Sequence, residues 1–367
     1  VLCEGPVGEA NAAVFVQDGG KVVINDGYYY SKNGNSCIYV QGGKVTGHTI
    51  TIGGEVKPLY YGGGIVEING GVFEAEASKF VLNQNDYIEN ESCFSVKGGI
   101  FVGFNPADVN ECHGKVTSFV ADGYKAVETT YDGKQAWKVE EIPPVTTQEA
   151  FESAIATANS TVVLTAGTYD MPSTVGDGVS IIGTDASTSV LTLNSAVAWH
   201  GVNATFKNIT VKYPNANYIG IQHAESIKYI GCIIEGQPFS YANNAVFEKC
   251  TFNQTSSGAY NIWTYGSKEI TFNNCVFNCA GKSVLIYNEG ALPTGIVTLN
   301  KCKFIASQLV TGKAAIEIDS RFSSYEVYIN DCTHEGFANG SVSGNSLWNK
   351  KDGDKSVKVV VDGTQVL

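Results

Sequence analysis

Short strings of alternating apolar and polar residues recur along the chain from residue 196 onward. Alternation of this kind predicts half-buried strands, and the strings are rich in β-branched and aromatic residues. A cysteine, or once an isoleucine, follows at an equivalent position of each string. One coil of short strands cannot bury its own apolar face, so the repeats predict stacked coils, a β-solenoid, with the equivalent positions facing inward. These positions are Ile209, Cys232, Cys250, Cys275, Cys302 and Cys332.

A different repeat occupies the first hundred residues, with Gly27, Gly71 and Gly99 in register before aromatic-rich strands. Glycine permits the positive φ that a β-coil needs where it changes direction. Asp132-Gly133, between alternating strings, indicates a hairpin. We therefore predict four segments: a Gly-rich β-solenoid over 1–104, a hairpin-containing cap over 105–140, a linker over 141–145, and a parallel β-helix over 146–367.

One helix is predicted, opening after Thr147 with an acidic first turn. Phe151 and Ile155 fall on the same face of that helix. We expect it to cover the open end of the second stack, because an uncovered end coil leaves backbone groups unpaired. The predicted fold class is all-β: a right-handed parallel β-helix in two stacks with one short capping helix.

The helix followed by VVLTAGTYD and GVSIIG resembles the entry segment of right-handed parallel β-helix proteins of the pectin-lyase-like superfamily. The run from QPFSYANNAVFEKC through GKAAIEIDS to GSVSGNSLWNKK resembles β-helix-repeat proteins of gut-bacterial surface or phage tail type. FVGFNPADVNECHGKVTSFVADGYKAVE resembles a terminal module of such surface proteins. The resemblance implies the fold, whereas this architecture hosts lyases, hydrolases, esterases, adhesins and tailspikes alike.

The active-site motifs of the superfamily's enzymes are missing from the sequence. Polygalacturonase-like enzymes carry Asn-Thr-Asp, an Asp pair and Arg-Ile-Lys, and this chain has none of the three. Arg321, the one arginine, lacks the clustered aspartates that accompany a pectate-lyase base. We therefore assign no catalytic residue and expect a non-catalytic protein.

Composition excludes several partners. The formal net charge of -12 opposes binding to nucleic acid and to anionic membrane surfaces, and no apolar run reaches the roughly 20 residues that span a bilayer. The chain begins at Val1, and we expect it to be a piece of something longer. The dispersed histidines and cysteines predict no metal site and no cofactor. Inward cysteines, one per coil, lack disulfide geometry, so we expect buried free thiols.

The strands that follow the cysteine strands carry the candidate binding residues. When Ile262, Ile286 and Ile316 are aligned as inward positions, alternation directs their neighbours outward. The outward set forms an aromatic strip running into an acidic patch, a combination that suits sugar rings. The alternative is a set of cross-strand pairs that only stabilise the sheet. The candidate residues are Trp263, Tyr265, Tyr287, Glu289, Glu317, Asp319 and Arg321.

The sequence thus predicts an extracellular, cell-surface or virion protein for attachment or display, with a glycan or another cell-surface ligand as partner. Two alternatives stay open: a polysaccharide lyase or hydrolase of the pectin-lyase-like superfamily, and a structural spacer without ligand. The oligomeric state is not predicted.

Overall fold

A computed structural model describes residues 1–4, 12–17, 19–34, 36–41, 43–52, 55–61, 64–76, 80–84, 92–109, 116–214, 217–288, 295–340 and 346–367. The chain divides into two compact units, Val1–Ile142 and Pro143–Leu367. Within the described ranges, no helix has the length and apolar character needed to cross a membrane.

The described residues of the first unit form strands and no helix, and most of these strands pair in parallel with a strand one coil away. Three of its sheets run in the orders β1-β4-β9-β12-β14-β13, β10-β5-β2 and β11-β8-β3, and β6 pairs with β7. The strands are β1 (Leu2–Cys3), β2 (Ala12–Val16), β3 (Lys21–Ile24), β4 (Tyr28–Ser31), β5 (Ser36–Val40), β6 (Gly43–Ile52), β7 (Glu55–Tyr61), β8 (Ile65–Ile68), β9 (Val72–Ala75), β10 (Phe80–Gln84), β11 (Phe94–Val96), β12 (Gly99–Val102), β13 (Tyr124–Tyr131) and β14 (Lys134–Glu141).

Aromatic rings stack through the core of the first unit. Tyr29, Phe73 and Phe101 lie in successive coils with ring centroids 5.1 and 5.0 Å apart. The glycine that enters each of these strands has a positive φ, for example 106° at Gly71, as the repeat predicts. Asp132 (φ 48°) belongs to the turn joining antiparallel β13 and β14, so the predicted hairpin is confirmed.

The second unit opens with α1 (Gln148–Ile155), which packs on the first two strands that follow it. The Thr147 side chain accepts a hydrogen bond from the backbone N–H of Ala150 and so caps the helix. Phe151 and Ile155 are fully buried against the first coils. The expected capping helix is confirmed.

The remaining strands form three sheets that are parallel except at the β36–β37 pair. The long sheet comprises β15 (Thr161–Leu164), β17 (Val179–Gly183), β19 (Val197–Ala198), β20 (Asn203–Lys207), β22 (Ile221–Ile230), β24 (Tyr241–Glu248), β27 (Glu269–Asn273), β30 (Gly295–Asn300), β33 (Tyr325–Asn330), β36 (Val357–Val361) and β37 (Thr364–Gln365). The middle sheet comprises β16 (Gly167–Asp170), β18 (Ser189–Thr192), β21 (Thr210–Tyr213), β23 (Ile233–Gly236), β25 (Thr251–Gln254), β28 (Val276–Cys279), β31 (Lys303–Gly312) and β34 (Thr333–Gly340). The short sheet comprises β26 (Ile262–Trp263), β29 (Val284–Ile286), β32 (Ile316–Asp319) and β35 (Trp348–Asp352). The predicted fold class is confirmed: all-β with one short helix, and parallel sheets stacked as in a β-helix.

The corner between the long and middle sheets is the same in six successive coils. Two residues join the strands there, and the second of the pair is the inward cysteine, or Ile209 in the first of these coils. The first of the pair is always left-handed, with φ between 49° and 60°, although it is glycine only once. The left-handed residues are Asn208, Gly231, Lys249, Asn274, Lys301 and Asp331.

The cysteines of this corner are free thiols, as the sequence predicts. Cys232, Cys250, Cys275 and Cys302 are buried, whereas Cys332 in the last coil is only partly buried. Burial raises the pKa of the Cys232 thiol well above its usual value. The column therefore acts as a row of small buried hydrophobic side chains.

Candidate functional site

The short sheet alternates sharply between core and exterior. Ile262, Val284, Ile286, Ile316 and Ile318 all belong to the hydrophobic core of the second unit. The side chains between them must therefore point away from the core. This outer face of the short sheet is where the sequence places the binding residues.

Backbone pairing defines the first row of this outer face. Strands β26, β29, β32 and β35 are parallel neighbours, so residues in register lie about 4.8 Å apart along the stack. The row therefore combines one aromatic, one aliphatic, one acidic and one amide side chain. Its members are Trp263, Leu285, Glu317 and Asn349.

The register differs from the expected one by two residues on β29. Alignment of the internal repeats places Ile286 opposite Ile316, whereas the structure pairs Val284 with Ile316 and Ile286 with Ile318. Val284 and Ile286 are both β-branched and apolar, and a period of two cannot distinguish registers that differ by two residues. As a correction, Leu285 and not Tyr287 lies opposite Trp263, and Tyr287 follows the end of β29.

The outward aromatic side chains do not form an open strip, which is a second correction. The Trp263 indole stacks on the Tyr218 ring, with ring centroids 3.9 Å apart, and packs edge-to-face with Tyr287, with centroids 5.8 Å apart. Tyr287 is only 8% exposed and packs with Tyr260 and Leu285 in the same outer cluster. The rings are covered because Tyr218 and Tyr260 come from connections preceding β22 and β26, which strand alternation does not describe.

Glu317 points outward but is 1% exposed. The hydroxyl of Tyr260, itself buried, donates a hydrogen bond to Glu317 Oε2. Burial, followed by the charge of Glu317, raises the pKa of Tyr260 far above its usual range. The tyrosine therefore stays protonated at neutral pH and remains a donor to the carboxylate.

Three lysines, here called the lysine cluster (Lys282, Lys313 and Lys351), surround this pair. Lys313 Nζ lies 4.0 Å from Glu317 Oε2, and Lys351 Nζ donates to the Tyr260 hydroxyl at 3.3 Å. Lys282 Nζ lies 5.2 Å from the centroid of the Tyr260 ring. Burial, followed by the charges of Lys313 and Lys351, lowers the pKa of Lys282. Positive charge thus exceeds negative charge locally, in a chain whose net charge is -12.

A second ion pair borders the cluster. Arg321 donates from Nε and Nη2 to the buried carboxylate of Asp319, at 2.9 and 2.7 Å. Its guanidinium lies 5.5 Å from the centroid of the Tyr287 ring and 6.0 Å from that of Phe322. Phe322 is 45% exposed, so its ring presents an aromatic surface to solvent beside the arginine.

The structure brings together five of the seven predicted residues: Trp263, Tyr287, Glu317, Asp319 and Arg321. Tyr265 packs against Phe239 and Tyr241, at ring-centroid distances of 5.1 and 5.7 Å, at the corner that leads to β27. Glu289 lies outside the described residues.

The sequence interpretation missed Tyr260 and the lysine cluster. Tyr260, Lys282 and Lys313 lie just before strands of the short sheet, and Lys351 lies at a register shift in β35. Alternation assigns a face only to residues inside regular strands. One signal was available: a lysine precedes β29 by two residues and β32 by three residues.

Among the described side chains, no group of three or more His, Cys, Asp or Glu residues could hold a metal ion. The site therefore has to be understood through its lysines, carboxylates and aromatic rings.

Comparison with known proteins identifies the architecture. The family model described as "Right handed beta helix region" matches residues 174–333, a span shorter than half of the chain. A search of curated proteins gave no match. The stacked parallel sheets agree with the matched description, and residues 174–333 form a right-handed β-helix region.

Proposed function

We propose that this chain is a non-catalytic extracellular attachment or display protein, of bacterial surface or phage tail type, and that it binds a glycan carrying acidic groups. The observation that carries the proposal is the lysine cluster on the outer face of the short sheet. Three ammonium groups lie there around the hydrogen-bonded pair of Tyr260 and Glu317.

The lysine cluster has hydrogen-bonding capacity left for a ligand. An ammonium group carries three N–H donors. Lys282 uses one on the carbonyl of Gly258, and Lys351 uses one on the Tyr260 hydroxyl. A carboxylate or sulfate group on a sugar accepts charge-assisted hydrogen bonds from the remaining donors.

Glu317 has a different part in this arrangement. Its side chain lies beneath the surface, so it offsets the mutual repulsion of the lysines without being presented to the ligand. Tyr260 fixes the carboxylate from the other side. The lysines are thus held close together before the ligand arrives, which lowers the cost of ordering them on binding.

Phe322 supplies the apolar part of the proposed site. The C–H face of a pyranose ring packs on an aromatic face, and the Phe322 ring is exposed at the edge of the same outer face. Arg321 lies over Tyr287 and Phe322 and holds its guanidinium beside that surface. Trp263, the aromatic residue expected from the sequence, already has a protein ring stacked on it.

The contacts of the two carboxylates favour binding over hydrolysis. Glu317 accepts from Tyr260, and Asp319 accepts from Arg321 through two nitrogen atoms. A general acid or base needs its carboxyl group within hydrogen-bond reach of the scissile bond. Both groups are buried and engaged with protein partners.

A glycan array carrying uronate, sulfated, sialylated and neutral glycans tests the proposal. We expect the protein to retain acidic glycans and to release them as salt rises, because salt screens charge–charge attraction. The double variant Lys282→Ala, Lys351→Ala should bind at least about tenfold more weakly, a loss of roughly 1.4 kcal/mol. Lys303→Ala is the matched control. Lys303 lies on the middle sheet, outside the lysine cluster, and its Nζ atom is 2.9 Å from Glu335 Oε1.

The other outcomes select the alternatives. New reducing ends or unsaturated products from a bound polysaccharide would identify a hydrolase or a lyase. Retention of neutral glycans alone would remove the lysine cluster from the mechanism. An array without any bound glycan would leave the structural spacer as the better description.

A further inference from the structure

A cavity of about 280 Å³ opens at the start of β24, where the chain turns from the short sheet into the long sheet. It shares no lining residue with the lysine cluster. We call it the histidine groove, lined by His223, Tyr241, Ala242, Asn243, Gly266, Ser267 and Lys268.

His223 enters the groove because the backbone bulges there. The register between β22 and β24 shifts between Gln222 and Ala224, which leaves His223 as the extra residue. Its φ of 61° is left-handed, a conformation that costs free energy for a residue with a side chain. The bulge presents an exposed imidazole, which stacks on the His200 ring at 4.7 Å with an interplanar angle of 6°.

Tyr241 packs directly against the imidazole. The two ring centroids are 4.5 Å apart and tilted by 54°, and Tyr265 meets Tyr241 edge-on at 5.7 Å. The backbone of Gly266 lies directly against the Tyr241 ring. A Cβ at position 266 would lie 2.5 Å from that ring, and φ there is 77°, so only glycine fits this wall without displacing Tyr241.

Polar groups complete the lining. Asn243 donates from Nδ2 to Glu225 Oε2 at 2.6 Å, which orients its amide and leaves the amide oxygen as an acceptor. The buried Ser267 hydroxyl donates to Ser240 Oγ at 2.9 Å. Lys268 is exposed at the rim and contributes ammonium donors.

We propose that the histidine groove is a second ligand site and that it takes a single sugar ring. Pockets for drug-sized ligands measure about 300–1,000 Å³, so this groove holds one ring and not a chain of rings. The touching rings of His223 and Tyr241 form one aromatic wall that suits the C–H face of the sugar ring, while amide and ammonium groups suit its hydroxyls. A ligand of this groove needs no acidic group. The inference therefore extends the proposed function and does not depend on the lysine cluster.

Glycine substitution at position 223 gives the sharpest test. His223→Gly removes the imidazole and suits the positive φ, so the variant should fold at least as well as the parent chain. Lys249→Gly is the matched control, because Lys249 is also exposed, has a φ of 54°, and lies outside the groove. Tyr241→Ala removes the other ring of the aromatic wall.

Ligand-observed NMR with glucose, galactose, mannose, fucose and N-acetylglucosamine, each alone, measures the interaction. We expect one or more of these sugars to bind the parent chain, and His223→Gly and Tyr241→Ala to weaken binding at least about tenfold. Lys249→Gly and the Lys282→Ala, Lys351→Ala variant should bind as the parent does. No binding of any sugar at millimolar concentration, or full binding by His223→Gly and Tyr241→Ala, overturns the inference. Neither result bears on the acidic-glycan array, so the two proposals fail separately.

Discussion

Replacing Tyr260 by phenylalanine removes one hydroxyl from the centre of the site and leaves the ring in place. That hydroxyl donates to Glu317 and accepts from Lys351. Glu317 is 1% exposed, so water cannot readily replace the lost donor. We expect Tyr260→Phe to lower the free energy of unfolding of the second unit. We also expect weaker binding of acidic glycans, because the Glu317 carboxylate that offsets the charge of the lysines is no longer held in place.

The expected loss of stability in Tyr260→Phe follows from the charge of the acceptor in the lost hydrogen bond. A hydrogen bond to a charged group contributes about 1.5–3 kcal/mol to stability. In a domain of roughly 150–250 residues, each kcal/mol corresponds to about 2–4 °C in the unfolding midpoint. The expected decrease is therefore about 3–12 °C, measured as thermal unfolding by circular dichroism and checked by urea denaturation.

The second unit contains its own control. Tyr328 donates to Glu326 at 2.6 Å and accepts from Lys358 at 3.1 Å, so the same three residue types interact in a solvent-accessible place. The Glu326 side chain is 39% exposed. Exposed pairs of this kind contribute little, and Tyr328→Phe should leave the midpoint nearly unchanged. Equal midpoints for the two variants would refute the reasoning about the buried carboxylate.

Three further predictions concern the core and its titration. Phe277→Ala should cost about 3–5 kcal/mol, since a fully buried phenylalanine is removed from the stack of rings; a loss below about 1 kcal/mol in urea denaturation would contradict that packing. Burial raises the pKa of Tyr213 to about 12 and that of Tyr229 well above its usual value. A raised folded-state pKa stabilises the folded protein fully below the unfolded-state pKa of about 10, and this stabilisation is lost as pH rises beyond that value. The unfolding midpoint should therefore fall between about pH 10 and 12. A midpoint that does not change with pH in that window would contradict the burial of these two tyrosines. Thiol labelling of Cys232 and Cys275 should need denaturant but no reductant, and mass spectrometry showing either of them in a disulfide would exclude the inward column.

The fold could be predicted from the sequence because the same local pattern recurs. Alternation gives the faces of the strands, and the cysteine after each strand marks the corner. Gly71 and its equivalents marked the turns of the first unit by the backbone freedom of glycine. Each coil repeats this information, so an error in one coil does not change the fold class.

The candidate site was predictable only in part, because its covering residues come from irregular segments. The outward directions of Glu317 and Asp319 follow from alternation with Ile316 and Ile318. Their burial does not, since Glu317 is held by Tyr260 from outside the sheet and Asp319 is held by Arg321, which lies beyond the end of its strand. The bulge at His223 likewise has no signature in the apolar pattern, because only the pairing of two strands reveals the extra residue.

The two-residue corner between the long and middle sheets has a consequence for how such a molecule can diversify. The intervals between the inward corner positions are 23, 18, 25, 27 and 30 residues, yet the corner itself never changes length. All insertion and deletion between coils must therefore occur in the rest of the circuit, where the connections around the short sheet lie. The corner keeps a constant length from coil to coil, whereas the connections around the short sheet vary in length. A connection around the short sheet can therefore change in length and sequence in one coil while the core packing at the corner stays the same.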